Sequence, residues 1–430
     1  MGDASLLKVA IDARVSAASA GGVAQVILGL VRALGRIDDS STDYSIVVES
    51  DEERDFLKPY LGSNQRFAVK TRSVGKRIQG LLSRTKESIG QRLSGNDSHY
   101  QTPMPISDGF IESLGCDVVH FPHQRFVLCG VPSIYNPHDL QHLHFPQFFK
   151  PSEIAWREMA YRLGCQVAHT VAVSSRWVKD DIIRHYQTDA NKIQVIPWAP
   201  PTEAYQDPSP SEVSEAKEKY GLDLPFALYP AMTWPHKNHL RLLEAQALLR
   251  DTKRARLRIV CTGSLLEPYW SAIQARIHEL GLAAEVRFLG YVPDDDLRIL
   301  YKLTQFLIMP SLFESDSSPV YEAWLEGTPI ACSNITSLPV QVMDAGLLFD
   351  PYDPEAIANV MAQLAGDNGL RQELSDRGHV RIKDYDWERT AKAYRAVYRR
   401  AARQALSDED RSLLGWDWME KPARLLEAHA

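Results

Sequence analysis

Short apolar runs alternate along almost the whole chain with segments whose apolar positions recur at helical spacing, and this alternation predicts parallel strands joined by helices. The first run, residues 7–11, is followed by Gly21 and Gly22 and then by an apolar pattern of helical period as far as Leu34. Strand, glycine turn and helix is the opening unit of a doubly wound sheet. Further strands are predicted at 44–48, 118–121, 133–135, 170–173 and 193–196. From Pro197 to Pro210 the chain holds five prolines and no periodic apolar pattern, which reads as a linker. A second series starts at 226–229 and continues at 257–261, 286–289, 306–309, 329–331 and 346–349. The predicted fold class is therefore α/β with two Rossmann-like, doubly wound domains. They cover residues 1–200 and 226–385, with a linker over 201–225 and an arginine-rich helical segment over 386–430.

Length agrees with that division, since 430 residues exceed one ordinary core. A net charge of −7, from 48 basic and 55 acidic residues, gives no global case for nucleic acid. Cys116, Cys129, Cys165, Cys261 and Cys332 are scattered without CxxC spacing and read as thiols in a reducing compartment. The start, Met-Gly-Asp-Ala-Ser, runs into a strand and reads as no signal peptide, and no apolar run approaches the roughly 20 residues of a membrane span. A cytoplasmic location is expected. Within an insertion at about 71–105, Arg72, Lys76, Arg77, Arg84, Lys86 and Arg92 alternate with Ile78, Leu81, Leu82, Ile89 and Leu93. This stretch is either a basic amphipathic helix lying peripherally on an anionic membrane surface or a solvated, acceptor-side loop.

Chemistry concentrates at Leu312–Ile330, where Glu314 and Glu322 bracket a predicted helix start with Ser318 as N-cap and Pro319 as first helical residue. Glu314 falls in the loop outside the carboxyl end of strand 306–309, where open α/β sheets bind ligands, and helix-start N–H groups favour an anion such as a diphosphate. Two carboxylates there can accept hydrogen bonds from sugar and ribose hydroxyls.

Glu, seven residues, Glu is the signature of retaining, nucleotide-sugar-dependent glycosyltransferases of the GT-B fold, in the family called GT4. The chain resembles that family in segment order from Asp12 to about Trp387. The string Tyr229–His239 resembles the family's phosphate-binding lysine segment, which implies that Lys237 neutralises the leaving diphosphate. The resemblance likewise implies that Glu314 holds sugar hydroxyls and Glu322 the ribose, and that the last helix returns to the first domain. In Asn136–Pro146, His138 would steer the donor hexose, with Asp139 on the acceptor side; His120, in Val119–His123, is either a second acceptor-side contact or a structural histidine at a strand end. Tyr291 and Val292 would edge the base, and Gly21 and Gly22 would let backbone approach phosphates or acceptor. Ser317, Ser318, Thr262 and Gly263 complete the expected donor site.

Two departures stand out. Met232, Thr233 and Trp234 occupy the place where relatives often carry an arginine, and Ser315–Ser318 replaces the usual Gly-Phe-Gly-Leu. Two metal readings compete with the family's needs. His138, His142 and His144 with Asp139 can be read as a metal cluster. Asp294, Asp295 and Asp296 can be read as a DxD motif, but aspartates before Leu297 are what a helix N-terminus favours. The resemblance implies no metal and no cofactor. The expected activity is metal-independent, retaining transfer of a hexose, best matched to mannose from GDP-mannose, to a glycan or lipid-linked acceptor in polysaccharide biosynthesis. The alternatives are a UDP- or ADP-glucose-dependent enzyme on a soluble acceptor and a nucleotide-sugar-binding scaffold without turnover.

Overall fold

The structure, a computed structural model, describes residues 6–14, 22–37, 39–70, 104–200, 207–252 and 256–416. Gly21, the basic stretch from Arg72 to Arg92 and the tail beyond Trp416 lie outside the described residues. The chain divides into two compact units. Unit 1 comprises residues 1–173, 179–196 and 388–416, and unit 2 comprises 174–178, 197–387 and 417–430.

Unit 1 is built on seven strands: β1 (Leu7–Asp12), β2 (Thr42–Val48), β3 (Gln65–Val69), β4 (Val118–Phe121), β5 (Ser133–Tyr135), β6 (Thr170–Val173) and β7 (Ile193–Val195). All pair in parallel, in the order β3-β2-β1-β4-β5-β6-β7. Strands β4, β5 and β6 are buried along their whole length, as expected of a parallel sheet covered by helices on both faces. β3 has no counterpart among the predicted strands. It is one of the two edge strands, and no residue of its Gln-Arg-Phe-Ala-Val is fully buried, so it lacks the apolar run that announces the others. The helix Trp387–Ala401 belongs to unit 1 from Glu388 onward, where Arg395 and Arg399 pair with Asp39 at 3.4 and 2.9 Å.

Unit 2 has six parallel strands, β8 (Phe226–Pro230), β9 (Arg258–Thr262), β10 (Val286–Phe288), β11 (Phe306–Met309), β12 (Ile330–Ser333) and β13 (Leu347–Phe349), in the order β10-β9-β8-β11-β12-β13. The region expected as linker contains the helix Pro210–Tyr220. Ser209 and Glu212 cap it reciprocally, Pro210 fills its first position, and Gly221 ends it at φ 58°. Lys219 and Tyr220 then bind Asp296 at 2.7 and 2.6 Å, which ties this helix to unit 2. Among the described residues no helix is long and apolar enough to cross a membrane.

Candidate active site

In each sheet the strand order reverses once at the centre, between β1 and β4 in unit 1 and between β8 and β11 in unit 2. Loops leaving the carboxyl ends of strands at such a reversal diverge and open a crevice.

Unit 2 places Lys237 and Glu314 on the two loops of its reversal. Lys237 ends a short 3-10 turn, Pro235–Lys237, after β8, and its Nζ donates to Glu314 Oε1 at 2.6 Å. The loops that carry them are fixed by hydrogen bonds to their main-chain carbonyls. Leu312 N–H donates to the His236 carbonyl at 2.7 Å, and Tyr229 Oη donates to the Lys237 carbonyl at 2.6 Å. Asn238, in the left-handed region at φ 59°, is buried and turns its amide inward to donate to the carbonyls of Pro310 and Pro351 at 2.9 and 2.8 Å. Asparagine tolerates this conformation better than most residues, and a non-glycine residue held there marks a position fixed by its surroundings. Glu314 is held from its other side, since its N–H donates to Thr336 Oγ1 at 3.1 Å and its carbonyl accepts from Ser337 Oγ at 2.8 Å. A cation and a carboxylate are thus held on rigid backbone at the place where ligands bind in this topology.

Around that pair the expected donor residues divide. The helix after β11 runs Ser318–Leu325 with Ser317, not Ser318, as N-cap. Ser317 is buried and does not face a ligand: its N–H donates to Gln341 Oε1 at 3.1 Å and its carbonyl accepts from Gln341 Nε2 at 3.0 Å. Pro319 has no N–H and Val320 N–H returns to the Ser317 carbonyl, which leaves the Ser318 amide as the helix-start donor without such a partner among the described residues. Asp316 turns away from this site, accepting from Tyr321 Oη at 2.8 Å, and burial pushes its pKa up to about 7. Glu322 accepts from Tyr301 Oη at 2.7 Å, and burial pushes it too up to about 7, with Asp294 adding to the rise.

Gly263, after β9, has φ 105°, and a Cβ there would meet Met232 N at 2.7 Å, so only glycine allows the loop after β8 to lie against it. Thr262 beside it is buried. Tyr291 is 76% exposed, open to stack on a base, whereas Val292 is part of the core of unit 2 and presents no side chain to one. Asp294, Asp295 and Asp296 form the first turn of the helix Asp294–Leu303.

Unit 1 separates the histidines that sequence grouped. His120 is wholly buried and is not an acceptor contact. Its ring nitrogens engage Tyr398 Oη and Asn136 Oδ1, each at 2.7 Å, and Asn136 donates to Tyr394 Oη at 2.7 Å. Burial pushes its pKa down to about 3. His138 sits in the left-handed region at φ 68°, with Nε2 3.1 Å from the Pro122 carbonyl, and burial pushes it down to about 4. Asp139 accepts from Gln141 N–H at 2.9 Å, and burial raises its pKa. His142 pairs with Glu158 and His144 with Asp181, each at 2.9 Å, so Asp139, His138, His142 and His144 do not converge on one ion. Gly22 opens the helix Gly22–Arg36 with free space where a Cβ would stand. Sequence reasoning passed over Asn238, and also the cluster at the reversal of unit 1. There Asp12, at the end of β1, receives two hydrogen bonds from Arg14 at 2.7 and 2.6 Å and faces His123 Nε2 at 3.4 Å.

Residues 20–203 match the family model described as Glycosyltransferase Family 4, and residues 212–381 that described as Glycosyl transferases group 1. The chain is 31% identical over 268 residues to the O-antigen chain mannosyltransferase B of Escherichia coli, an alignment covering 60% of this chain and 69% of that protein. The chain belongs to glycosyltransferase family 4. This glycosyltransferase is also 26% identical over 238 residues to the D-inositol 3-phosphate glycosyltransferase of Corynebacterium glutamicum, covering 54% of its own length and 57% of the relative's. The crystal structure of Anabaena Alr3699/HepE in complex with UDP and glucose matches 91% of the glycosyltransferase and 99% of that chain, with a TM-score of 0.65 at 15% identity. That likeness is one of fold, and the two Rossmann-like units are those of GT-B.

Proposed function

We propose that this glycosyltransferase moves mannose from GDP-mannose, with retention of anomeric configuration, to a hydroxyl of a glycan or lipid-linked acceptor in polysaccharide biosynthesis. The observation that carries the reading is Lys237 Nζ held 2.6 Å from Glu314 Oε1 at the strand-order reversal of unit 2. When donor binds, Lys237 turns its charge to the diphosphate and Glu314 its oxygens to the sugar hydroxyls. Glu322 accepts from the ribose, and His138 steers the hexose. As the bond from the anomeric carbon to the diphosphate breaks, the acceptor oxygen forms its bond on the same face and its proton passes to the leaving diphosphate. The chain's own groups supply orientation and charge, and the reaction draws on no metal ion.

Mannose is favoured by the name of the mannosyltransferase relative, and glucose carried by UDP is the second reading, favoured by the HepE complex. Nucleoside diphosphate release measured over GDP-mannose, UDP-glucose, ADP-glucose and UDP-N-acetylglucosamine decides between them. GDP-mannose should give the highest kcat/KM, in EDTA as well as without it, and an α-linked product by NMR. A preference for UDP-glucose would replace the donor, and an inverted product would end the retaining mechanism. A peripheral seat on anionic membrane rests on the basic stretch from Arg72 to Arg92, and flotation with anionic liposomes at low salt tests it.

A further inference from the structure

His144, Asp181 and His185 come together in unit 1 and contain none of the residues assigned to transfer. We propose that they form a site for one divalent transition-metal ion, best suited to zinc. Asp181 and His185 lie one turn apart on the helix Arg176–Tyr186, so both project from the same face. His144 ends the short helix Gln141–His144 and approaches the same carboxylate. Its Nε2 stands 3.0 and 2.9 Å from the two oxygens of Asp181, and His185 Nε2 stands 3.4 Å from Oδ1. The three ligand atoms all lie within 4.8 Å of one another. Donors at zinc's bond length of about 2.0–2.1 Å in tetrahedral arrangement are about 3.4 Å apart, so the set, within 4.8 Å at its widest, closes by at most about 1.4 Å on binding.

The neighbouring pair shows what an ordinary ion pair looks like here. Glu158 takes His142 at 2.9 Å and is completed by Tyr186 Oη at 2.7 Å and Arg162 at 3.0 Å. Asp181, whose side chain is 3% exposed, faces two imidazoles and pairs with no lysine or arginine among the described residues. Two imidazoles and one carboxylate suit zinc, cobalt or nickel better than magnesium or calcium. The imidazoles are 27% and 35% exposed, which gives an ion a route in and leaves a coordination position for water. A bound ion would fasten the segment that follows β5, and with it His138, to the helix Arg176–Tyr186.

The test uses full-length protein without a histidine tag, first freed of metal by chelator. Cobalt should bind at one ion per chain with the strong visible absorption of a tetrahedral site, and zinc should displace it and raise Tm. His185→Ala and His144→Ala should each weaken zinc binding at least about 100-fold, beyond what loss of an outer partner costs, and abolish the Tm rise. Far-UV circular dichroism checks that the variants fold, and the wild-type cobalt spectrum decides the matter if they do not. Absence of that absorption in wild-type protein, or variants that bind zinc as tightly as wild type, would reduce the cluster to an ion pair.

Discussion

The two strand-order reversals occupy equivalent places in their sheets, and each holds a carboxylate beside a cation, yet they are finished differently. In unit 1, Asp12 receives a two-pronged bond from Arg14 with His123 behind it, and the side chains are only 3%, 14% and 3% exposed. In unit 2, the Lys237 side chain is 22% exposed and Nζ donates among the described residues to Glu314 alone, through a single contact. A guanidinium that matches both oxygens of a carboxylate closes the pair against exchange, whereas an ammonium with further donors can trade its partner for a phosphate. Topology marks both places, and the single ammonium contact in unit 2 leaves further donors for a ligand where the two-pronged contact in unit 1 leaves fewer.

The largest expected effect breaks the closed pair. Burial alone would push the Asp12 carboxyl up, but His123 and Arg14 more than offset that and hold it well below the usual carboxylate range. Asp12→Asn should therefore cost about 3 kcal/mol in urea denaturation, the low end for breaking a buried pair, since the amide keeps one acceptor oxygen. Because the folded pKa is depressed, the stability from Asp12 is present above its unfolded value near 3.9 and lost as pH falls below about 4. Wild type should lose stability through that window more steeply than Asp12→Asn, and parallel profiles would show that the pair contributes nothing.

Next comes the backbone that holds the open pair. Asn238→Ala removes both bonds to the Pro310 and Pro351 carbonyls and puts alanine in the left-handed region, so it should cost about 2 kcal/mol of stability. It should also lower kcat about tenfold at temperatures where the variant is fully folded, because Lys237 and Glu314 lose their fixed spacing. Unchanged kcat would mean that the loops hold their geometry without it.

The smallest effect concerns Glu322. With its pKa pushed up to about 7, it is protonated below neutrality, which turns one of its two oxygens from acceptor into donor and removes the charge that strengthens the bond assigned to the ribose. Donor KM should rise as pH falls from 8 to 6, by about tenfold, and Glu322→Gln should flatten that dependence. The same raised pKa makes Glu322 favour the folded state less as pH rises from about 4 to 7. A variant that keeps the wild-type profile would show that Glu322 does not set the pH dependence of donor binding.

What sequence could show follows the range of the interactions. Buried parallel strands are continuous apolar runs, so β1, β2, β4 to β7 and the six strands of unit 2 were legible to within a residue or two, while the edge strand β3 was not. The places of Lys237 and Glu314 in the fold were legible because each sits one loop beyond such a run. The helix Pro210–Tyr220 carried its own capping signal in Ser209 and Glu212, masked by the prolines around it. His120 was misplaced because what occupies it, Tyr398, lies 278 residues away, and Ser317 because Gln341 reaches it from the later helix Leu338–Val342. Asn238 gave no signal of its own, since an asparagine between a lysine and a helix reads as an ordinary cap until its φ is known.

We propose that the partly buried, singly bonded Lys237–Glu314 pair is the donor site. Transfer from GDP-mannose by Lys237→Ala and Glu314→Gln, measured at saturating donor beside the melting temperature of each variant, tests it most directly. The account predicts that each variant loses at least about 100-fold in kcat while Tm moves by only about 2 °C, because the pair is partly exposed and its removal opens no core. Near-wild-type transfer by either variant, or a collapse of Tm like that expected for Asp12→Asn, would contradict it.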